Sequence, residues 1–466
     1  MLFSGLVFWV ATASANGQTR GSTIRLSVSS TDFVTIDILG SVPRKSWSFL
    51  TNYGSAMNLG NRIYDFQARG TGAESIAVRN VAPGEFRADE ISQVVSYKVR
   101  LTVPDTRDVA HVSWLTPQNG LLMFADLLPR ELERPILADF KLPDAWTLET
   151  AVLQDKNRFV VDDSAKAVFL VGRPLRAIFR SVEGMNFDFA FSGDWSFKED
   201  HVAKSASSLL KKYFELTGFK LPKESMVLIA PIPSANSDVR WTAETRGSTV
   251  ILLLDPRAPF RNWVAQLEVI LTHELFHLWV PNSLSLEGDY DWFFEGFTLY
   301  QALLTARESN LISFQELLNT LARVYDSYRS SPELLSLIEA SERRWTGSNS
   351  AIYDKGMLVA FLYDLMLREE SGGKTRLSQK YRQLFSKYRS KSTNGNEAIM
   401  SLLRSSSATD EFLKSHVEGR SILNLEQSLM RYGFLIDMRE ARTHLSVADS
   451  LSQDQLRLLR SLGYKR

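Results

Sequence analysis

Two histidines and a glutamate stand at a spacing that can bind and use a divalent metal ion. His273, Glu274 and His277 form the pattern H-E-x-x-H within ILTHELFHLW. Residues four positions apart lie on the same face of a helix, so both imidazoles can bind one cation while Glu274 can reach a bound water. The chain has only six histidines, which makes this pairing informative. The pattern predicts a hydrolytic metal centre with Glu274 as general base; the alternative is a buried hydrogen-bonded network.

A catalytic zinc ion needs a third protein ligand and an open fourth position. Glu295, 18 positions after His277, is the leading candidate, because the apolar run WFFEGF around it would make an unpaired carboxylate costly to bury. Glu287, Asp289 and Asp291 are the alternatives, and Asp291 is also a candidate to orient one histidine. The chain has no cysteine, which excludes a thiolate site. We therefore predict one Zn²⁺ ion bound by nitrogen and oxygen ligands.

The composition indicates a globular protein whose partners are selected by a local site. The chain has 466 residues, of which 44% are hydrophobic, so several packed domains are expected. Lys and Arg number 54 against 53 Asp and Glu, and a net charge of +1 argues against a general attraction to nucleic acid. No stretch reaches the ~18 apolar residues of a membrane helix. We expect neither nucleic-acid binding nor stable membrane insertion, and the oligomeric state is not predicted.

The first residues resemble a cleaved secretory signal. Residues 1–15 read MLFSGLVFWVATASA, an apolar run followed by Ala13 and Ala15 in an A-x-A arrangement. A buried first strand is the alternative interpretation. The pattern predicts an exported protein, located in the periplasm or secreted.

Hydrophobic periodicity divides the chain into regions of different structure. From Ser22 to Phe189 apolar and polar residues mostly alternate, which predicts antiparallel strands. After Trp195 helices alternate with strands, and from Glu295 onward the pattern is almost entirely helical. We predict an α+β multidomain fold. Its parts are a signal peptide at 1–15, a β-rich N-terminal domain at 16–191, an α/β catalytic domain at 192–310, an α-helical C-terminal domain at 311–440 and a helical tail at 441–466.

The sequence HELFHLW followed by DWFFEGFTLY is similar to the glycyl aminopeptidase family of zinc metallopeptidases, within the gluzincin group. The resemblance extends over nearly the whole chain and implies a thermolysin-like catalytic domain between a β-rich domain and helices. It implies hydrolysis of N-terminal residues from peptide substrates. The PDZ domain often found at the family's C-terminus is not expected after Ala441. A zinc endopeptidase of the same fold and a non-catalytic exported peptide-binding protein are the alternatives.

The resemblance also implies roles for two residues outside the metal motif. Related aminopeptidases use a Tyr in a Y-x-K-G sequence to stabilise the oxyanion of the tetrahedral intermediate, and Tyr353 in YDKG matches it; a packing tyrosine is the alternative. They also bind the substrate's free amino group with a Glu before the zinc helix, and Glu244 in WTAETR resembles that position. The family further implies that the strand at 248–254 binds the substrate backbone by strand addition.

Overall fold

The computed structural model describes most of the chain. The described residues are 21–29, 32–40, 42–103, 109–233, 240–257, 260–330, 334–346, 350–439 and 442–465. The predicted signal peptide at 1–15 lies outside them. No helix within these ranges is long and apolar enough to cross a membrane.

The N-terminal part is built from sheets, as its alternating sequence predicts. In Phe33–Leu39 every second residue is buried, so one face of the strand packs on the core and the other faces outward. The largest sheet has eight strands, in the order Gln154–Asp155, Arg158–Val161, Ile136–Lys141, Thr23–Val28, Phe33–Leu39, Val94–Arg100, Ile63–Arg69 and Ser75–Ile76. A three-stranded sheet, Arg44–Ser48, Glu85–Ser92 and Val78–Ala82, packs on the same apolar cluster.

A central five-stranded sheet supports the functional site. Its order is Leu175–Val182, Met185–Ser192, Ser225–Pro231, Thr249–Leu254 and Trp241–Arg246. The hairpin at 175–192 thus pairs with the central sheet, although the predicted boundary at 191 assigned it to the β-rich domain. Alternation of apolar and polar residues predicts a strand but not the sheet that the strand joins, since strands of either sheet can show the same alternation. The remaining domain boundaries stay predictions.

Both faces of the central sheet are buried. Val227 and Ile229 belong to the large apolar cluster on the helical side, whereas Leu228 and Ala230 pack on the opposite side against a four-stranded sheet. This explains why Ser225–Pro231 reads as a continuous apolar run rather than an alternating one. The four-stranded sheet has the order Thr147–Glu149, Val168–Gly172, Asn119–Met123 and Trp114–Leu115.

The strand at the sheet edge differs from the one expected to bind substrate. Thr249–Leu254 lies between Ser225–Pro231, which is parallel to it, and Trp241–Arg246, which is antiparallel. Its backbone groups are therefore used on both sides, and the prediction of strand addition at 248–254 is wrong. Trp241–Arg246 forms the edge of this sheet as the described residues define it.

The C-terminal half is mostly helical and shares one apolar cluster with the helical side of the central sheet, running from Val182 to Leu462. The helices after the short Phe124–Leu127 are Glu199–Thr217, Phe260–His277, Thr298–Glu308, Phe314–Ser330, Leu337–Glu342, Gly356–Glu370, Leu377–Tyr388, Gly395–Leu403, Ser407–Leu413, Leu425–Leu429 and Gln453–Ser461. Leu286–Glu287 pairs with Thr393–Asn394, and Phe434–Arg439 pairs with Arg442–Val447. The predicted helical tail at 441–466 thus begins with a strand, because the alternating residues of Arg442–Val447 cover the helix Phe314–Ser330.

Two π-helical segments meet through a pair of glycines. Trp292–Phe297 leads into the helix Thr298–Glu308, and Ala351–Lys355 leads into Gly356–Glu370. A Cβ atom on Gly296 would lie 2.6 Å from the Cα atom of Gly356, which is closer than real Cβ atoms approach. Glycine at both positions therefore lets the two backbones touch, which brings the segment containing Glu295 against the one containing Tyr353.

We predict that Gly296→Ala lowers the free energy of unfolding by about 1–3 kcal/mol, because an added methyl group forces the two backbones apart. Zinc binding should weaken with it, since the neighbouring Glu295 moves. Chemical denaturation and metal analysis measure the two effects. Gly70→Ala is the control, because its added methyl group meets only the flexible carboxylate of Glu74. Equal stability of the two variants would contradict the packing argument.

Candidate active site

The three predicted metal ligands converge on one point. His273 Nε2 and His277 Nε2 lie 3.0 Å apart, and Glu295 Oε2 lies 3.5 Å from the first and 3.4 Å from the second. Zinc bonds of about 2.0–2.1 Å in a tetrahedral arrangement place neighbouring ligand atoms about 3.3 Å apart. These residues are the one cluster of potential metal ligands among the residues that the structure describes. The donor set therefore fits a single zinc ion with an open fourth position.

The helix that carries the H-E-x-x-H pattern, here called the motif helix, ends at His277, and a contact just beyond its end orients the ring of this residue. The helix Phe260–His277 ends at this residue, and His277 Nδ1 lies 2.8 Å from the backbone oxygen of Val280. A carbonyl oxygen can only accept, so Nδ1 carries a proton and Nε2 is the nitrogen that can bind a metal once it has lost its own proton. The predicted role of Asp291 in orienting a histidine is wrong, since Asp291 Oδ1 instead accepts a hydrogen bond from Arg344 Nη1.

Charge also favours a cation between the ligands. Burial by itself would raise the pKa of Glu295, but the imidazoles of His277 and His273 and the guanidinium of Arg344 lower this pKa well below its usual range. Burial alone would lower the pKa of His277, but the Glu295 carboxylate outweighs it and raises that pKa to about 9. A buried carboxylate is stable only with positive charge nearby, and a divalent ion supplies it.

Glu274 is anchored by a residue that sequence reasoning missed. Thr245 Oγ1 lies 2.8 Å from Glu274 Oε2 and 2.8 Å from the backbone oxygen of Glu274. The last carbonyl groups of a helix have no partner within it, and the single hydrogen of the threonine hydroxyl is shared between one of these carbonyl oxygens and the carboxylate. Thr245 lies on the edge strand Trp241–Arg246, which packs beside the motif helix.

Tyr353 is partly buried and lies close to the predicted ligands and base. Its hydroxyl oxygen lies 3.0 Å from Arg344 Nη2. Burial first, then the negative charge of Glu295 and, more weakly, of Glu274, raises the pKa of Tyr353 well above its ordinary value. The phenol therefore keeps its proton near neutral pH and can donate a hydrogen bond.

Glu244 faces residues from the β-rich part of the chain. Its Oε1 accepts hydrogen bonds from the hydroxyl of Tyr53 at 2.8 Å and from Arg246 Nη2 at 2.8 Å. Its Oε2 is buried without a hydrogen-bond partner among the described residues and lies 3.2 Å from His111 Nδ1. Nothing in the sequence around His111 connects it with residue 244, so this contact could not be predicted.

The sequence has relatives of known family and fold. The model of the peptidase family M1 domain matches residues 199–418, a range that includes all the predicted site residues. No curated protein matches the sequence.

Solved structures of similar fold extend beyond that domain. An aminopeptidase N family protein from Idiomarina loihiensis is 16% identical, with a TM-score of 0.76 over 90% of this chain and 79% of that one. An M1 zinc metallopeptidase from Deinococcus radiodurans is 14% identical, with a TM-score of 0.55 over 87% of this chain and 96% of that one. A mutant of the latter, bound to a Tyr-Ser-Ala substrate, has a TM-score of 0.56 at 13% identity over the same shares. These likenesses confirm the predicted fold class.

We predict that Thr245→Val lowers kcat roughly fivefold, because the Glu274 carboxylate loses a hydrogen bond worth about 1 kcal/mol. Bound zinc should not change, since Thr245 contacts none of the ligand side chains. Thr245→Ser is the matched control, because it keeps the hydroxyl and should keep most of the activity. A Val variant with the kcat of the wild type would show that the contact does not position the base.

Proposed function

We propose that this chain, which is a zinc metallopeptidase with a peptidase family M1 domain at residues 199–418, is an aminopeptidase that removes N-terminal residues from peptides. The resemblance to gluzincins drawn from the sequence is confirmed, and the matching family is M1. The observation that carries the proposal is the convergence of His273, His277 and Glu295 on one point, with Glu274 and Tyr353 close to it.

The residues around the zinc site have different roles in peptide hydrolysis. Bound zinc makes a water molecule more acidic and polarises the scissile carbonyl. Glu274 accepts the proton of the attacking water and returns it to the leaving amine. Tyr353 donates a hydrogen bond to the carbonyl oxygen as negative charge develops there, and one such donor is worth about 3 kcal/mol in the transition state.

The edge strand positions the substrate. Trp241–Arg246 carries both Thr245, which contacts the base, and Glu244, so an extended peptide lying along this strand is aligned with the site. Glu244 Oε2 has no hydrogen bond among the described residues and lies 3.2 Å from His111 Nδ1, and we assign it as the acceptor for the substrate's α-ammonium group. Tyr53 and Arg246 hold the other oxygen, so the carboxylate is already oriented before the substrate binds.

A zinc endopeptidase of the same fold is the second candidate, and one observation favours it. Arg246 forms an ion pair with Glu244 at 2.8 Å, with both side chains largely buried. The guanidinium therefore already balances the charge that would attract an ammonium group. If that balance is complete, a free amino terminus gives no advantage in binding.

We predict that Glu274→Gln retains zinc but lowers kcat by about 10²–10⁴-fold, because only the proton acceptor is lost. Metal analysis and peptide turnover measure the two effects. Glu268→Gln is a control on the same helix, since the Glu268 carboxylate binds Ser205 Oγ rather than the metal site. Wild-type turnover in Glu274→Gln would remove the residue from the mechanism.

Paired peptides with free and acetylated N-termini separate the two candidates. We expect the wild type to cleave the free peptides faster and at the first bond, because only these carry an ammonium group for Glu244. In Glu244→Gln the preference should shrink, mainly through a higher KM for the free peptides. Equal cleavage of free and blocked peptides by the wild type, read by mass spectrometry, would favour the endopeptidase.

We also propose that the protein is exported. The apolar run and A-x-A arrangement within residues 1–15 support this proposal. N-terminal sequencing of the protein from cell fractions tests it: a chain in the exported fraction that starts after Ala15 is expected, and an intact N-terminus in the cytoplasm would refute it.

A further inference from the structure

Arg344 lies at the centre of the site and is neither a metal ligand nor the base nor the oxyanion donor. It begins a short 3-10 segment, Arg344–Thr346, and its side chain is 17% exposed. Arg344 Nη2 donates to Glu295 Oε1 at 2.9 Å and to the hydroxyl oxygen of Tyr353 at 3.0 Å, while Nη1 donates to Asp291 Oδ1. One guanidinium thus connects a metal ligand and the oxyanion donor.

The contact with Glu295 separates the functions of its two carboxylate oxygens. Oε1 accepts from Arg344, whereas Oε2 faces His273 Nε2 and His277 Nε2 at 3.5 and 3.4 Å. Without Arg344 the carboxylate could turn and present either oxygen, or both. Groups that hold a metal ligand in place typically change metal affinity or activity by about 10–100-fold when removed.

The contact with Tyr353 fixes the direction of the phenol hydrogen. A phenol has one hydrogen to donate and lone pairs that accept, whereas a guanidinium can only donate. Arg344 therefore occupies a lone pair of the Tyr353 oxygen and cannot accept its hydrogen. The O–H bond must point elsewhere, and the open side of the metal site is where an oxyanion donor is needed.

Arg344 is itself held in place. Asp291 accepts a hydrogen bond from one nitrogen of Arg344. The Arg344 guanidinium also lies over the rings of Phe294, at 5.6 Å from the ring centroid, and Trp345, at 4.9 Å. These contacts restrict a long side chain that would otherwise have many rotamers, which lowers the entropy lost on binding substrate. Asp291, an alternative metal ligand on sequence grounds, thus supports Arg344 instead.

We propose that Arg344 is a positioning residue that makes Glu295 a one-oxygen ligand and directs the Tyr353 hydroxyl at the developing oxyanion. The proposal rests on the proposed peptidase function for its second half only. Its first half concerns zinc affinity, which is measured without a substrate.

The first test is Arg344→Met, which keeps the length of the side chain and removes its donors. We expect zinc affinity, measured by competition with a chelator, to fall about tenfold, and kcat at saturating zinc to fall about tenfold or more with little change in KM. Arg343→Met is the matched control, because the neighbouring Arg343 side chain is exposed. A raised KM with unchanged kcat and zinc affinity would mean that Arg344 binds substrate instead, and would overturn the proposal.

A double-mutant cycle with Tyr353→Phe separates positioning from general stability. If Arg344 acts through the hydroxyl, Arg344→Met should lower kcat by a smaller factor in the Tyr353→Phe background than in the wild type. Fully additive losses would overturn the second half of the proposal, and unchanged zinc affinity would overturn the first.

Rescue with free guanidinium covers the case in which the Met variant folds poorly. Arg344→Ala leaves space for a small cation, so millimolar guanidinium should restore part of the kcat and of the zinc affinity of this variant. Arg344→Lys should keep little of the wild-type kcat and zinc affinity, because an ammonium cannot bridge three oxygens in one plane. Absence of rescue in a folded Ala variant would count against positioning. A wild type that binds zinc but cleaves no peptide would refute the peptidase function and still leave the zinc measurements to decide the role at Glu295.

Discussion

The burial of the Glu295 carboxylate is the constraint on which the site depends. A carboxylate enclosed by aromatic side chains is unstable unless positive charge and hydrogen-bond donors surround it. Here two imidazoles face one of its oxygens and a guanidinium faces the other. The chain supplies the guanidinium permanently, and a divalent ion between the imidazoles completes the balance. The same charge that makes the carboxylate costly to bury thus makes it a strong ligand, and the metal becomes part of the stability of the folded domain.

Close packing turns these charges into a fixed geometry. The proposed ligand Glu295 and the proposed oxyanion donor Tyr353 lie 58 positions apart in the chain, yet they are in neighbouring π-helical segments, beside which Gly296 and Gly356 make contact. π-helical turns widen the backbone and often occur at functional sites, because they rotate a side chain away from the regular helical position. The central sheet is buried on both faces and provides a rigid base for the edge strand and the motif helix. The site therefore needs no large rearrangement to bring its groups together.

The sequence predicted the parts of the site that depend on local spacing. Residues i and i+4 on a helix share a face in any fold, so His273 and His277 could be paired from the sequence alone, and the apolar surroundings of Glu295 indicated a buried charge in need of a cation. The β-rich and helical regions could also be predicted, because the spacing of apolar residues depends only on the local backbone conformation. The positions of Arg344, Thr245 and Tyr53 could not be predicted, because each contact joins residues that are distant in the chain and depends on how elements pack. The same limit explains why the sequence does not show that the hairpin at 175–192 pairs with the central sheet, or that Thr249–Leu254 is an interior strand.

The β-rich part of the chain contacts the residue proposed to bind the substrate's amino end. Tyr53 donates a hydrogen bond to Glu244, packs against Trp345, the residue after Arg344, with ring centroids 5.1 Å apart, and lies under Arg246 at 4.6 Å. One aromatic side chain from the N-terminal part thus touches both the carboxylate assigned to the ammonium group and the segment that positions the oxyanion donor. A shift of that part relative to the catalytic part would change both contacts together. In the proposed aminopeptidase, the separation between Glu244 and the metal ligands would limit cleavage to the first peptide bond, so the proposed selectivity depends on the packing between the two parts of the chain as much as on any single residue.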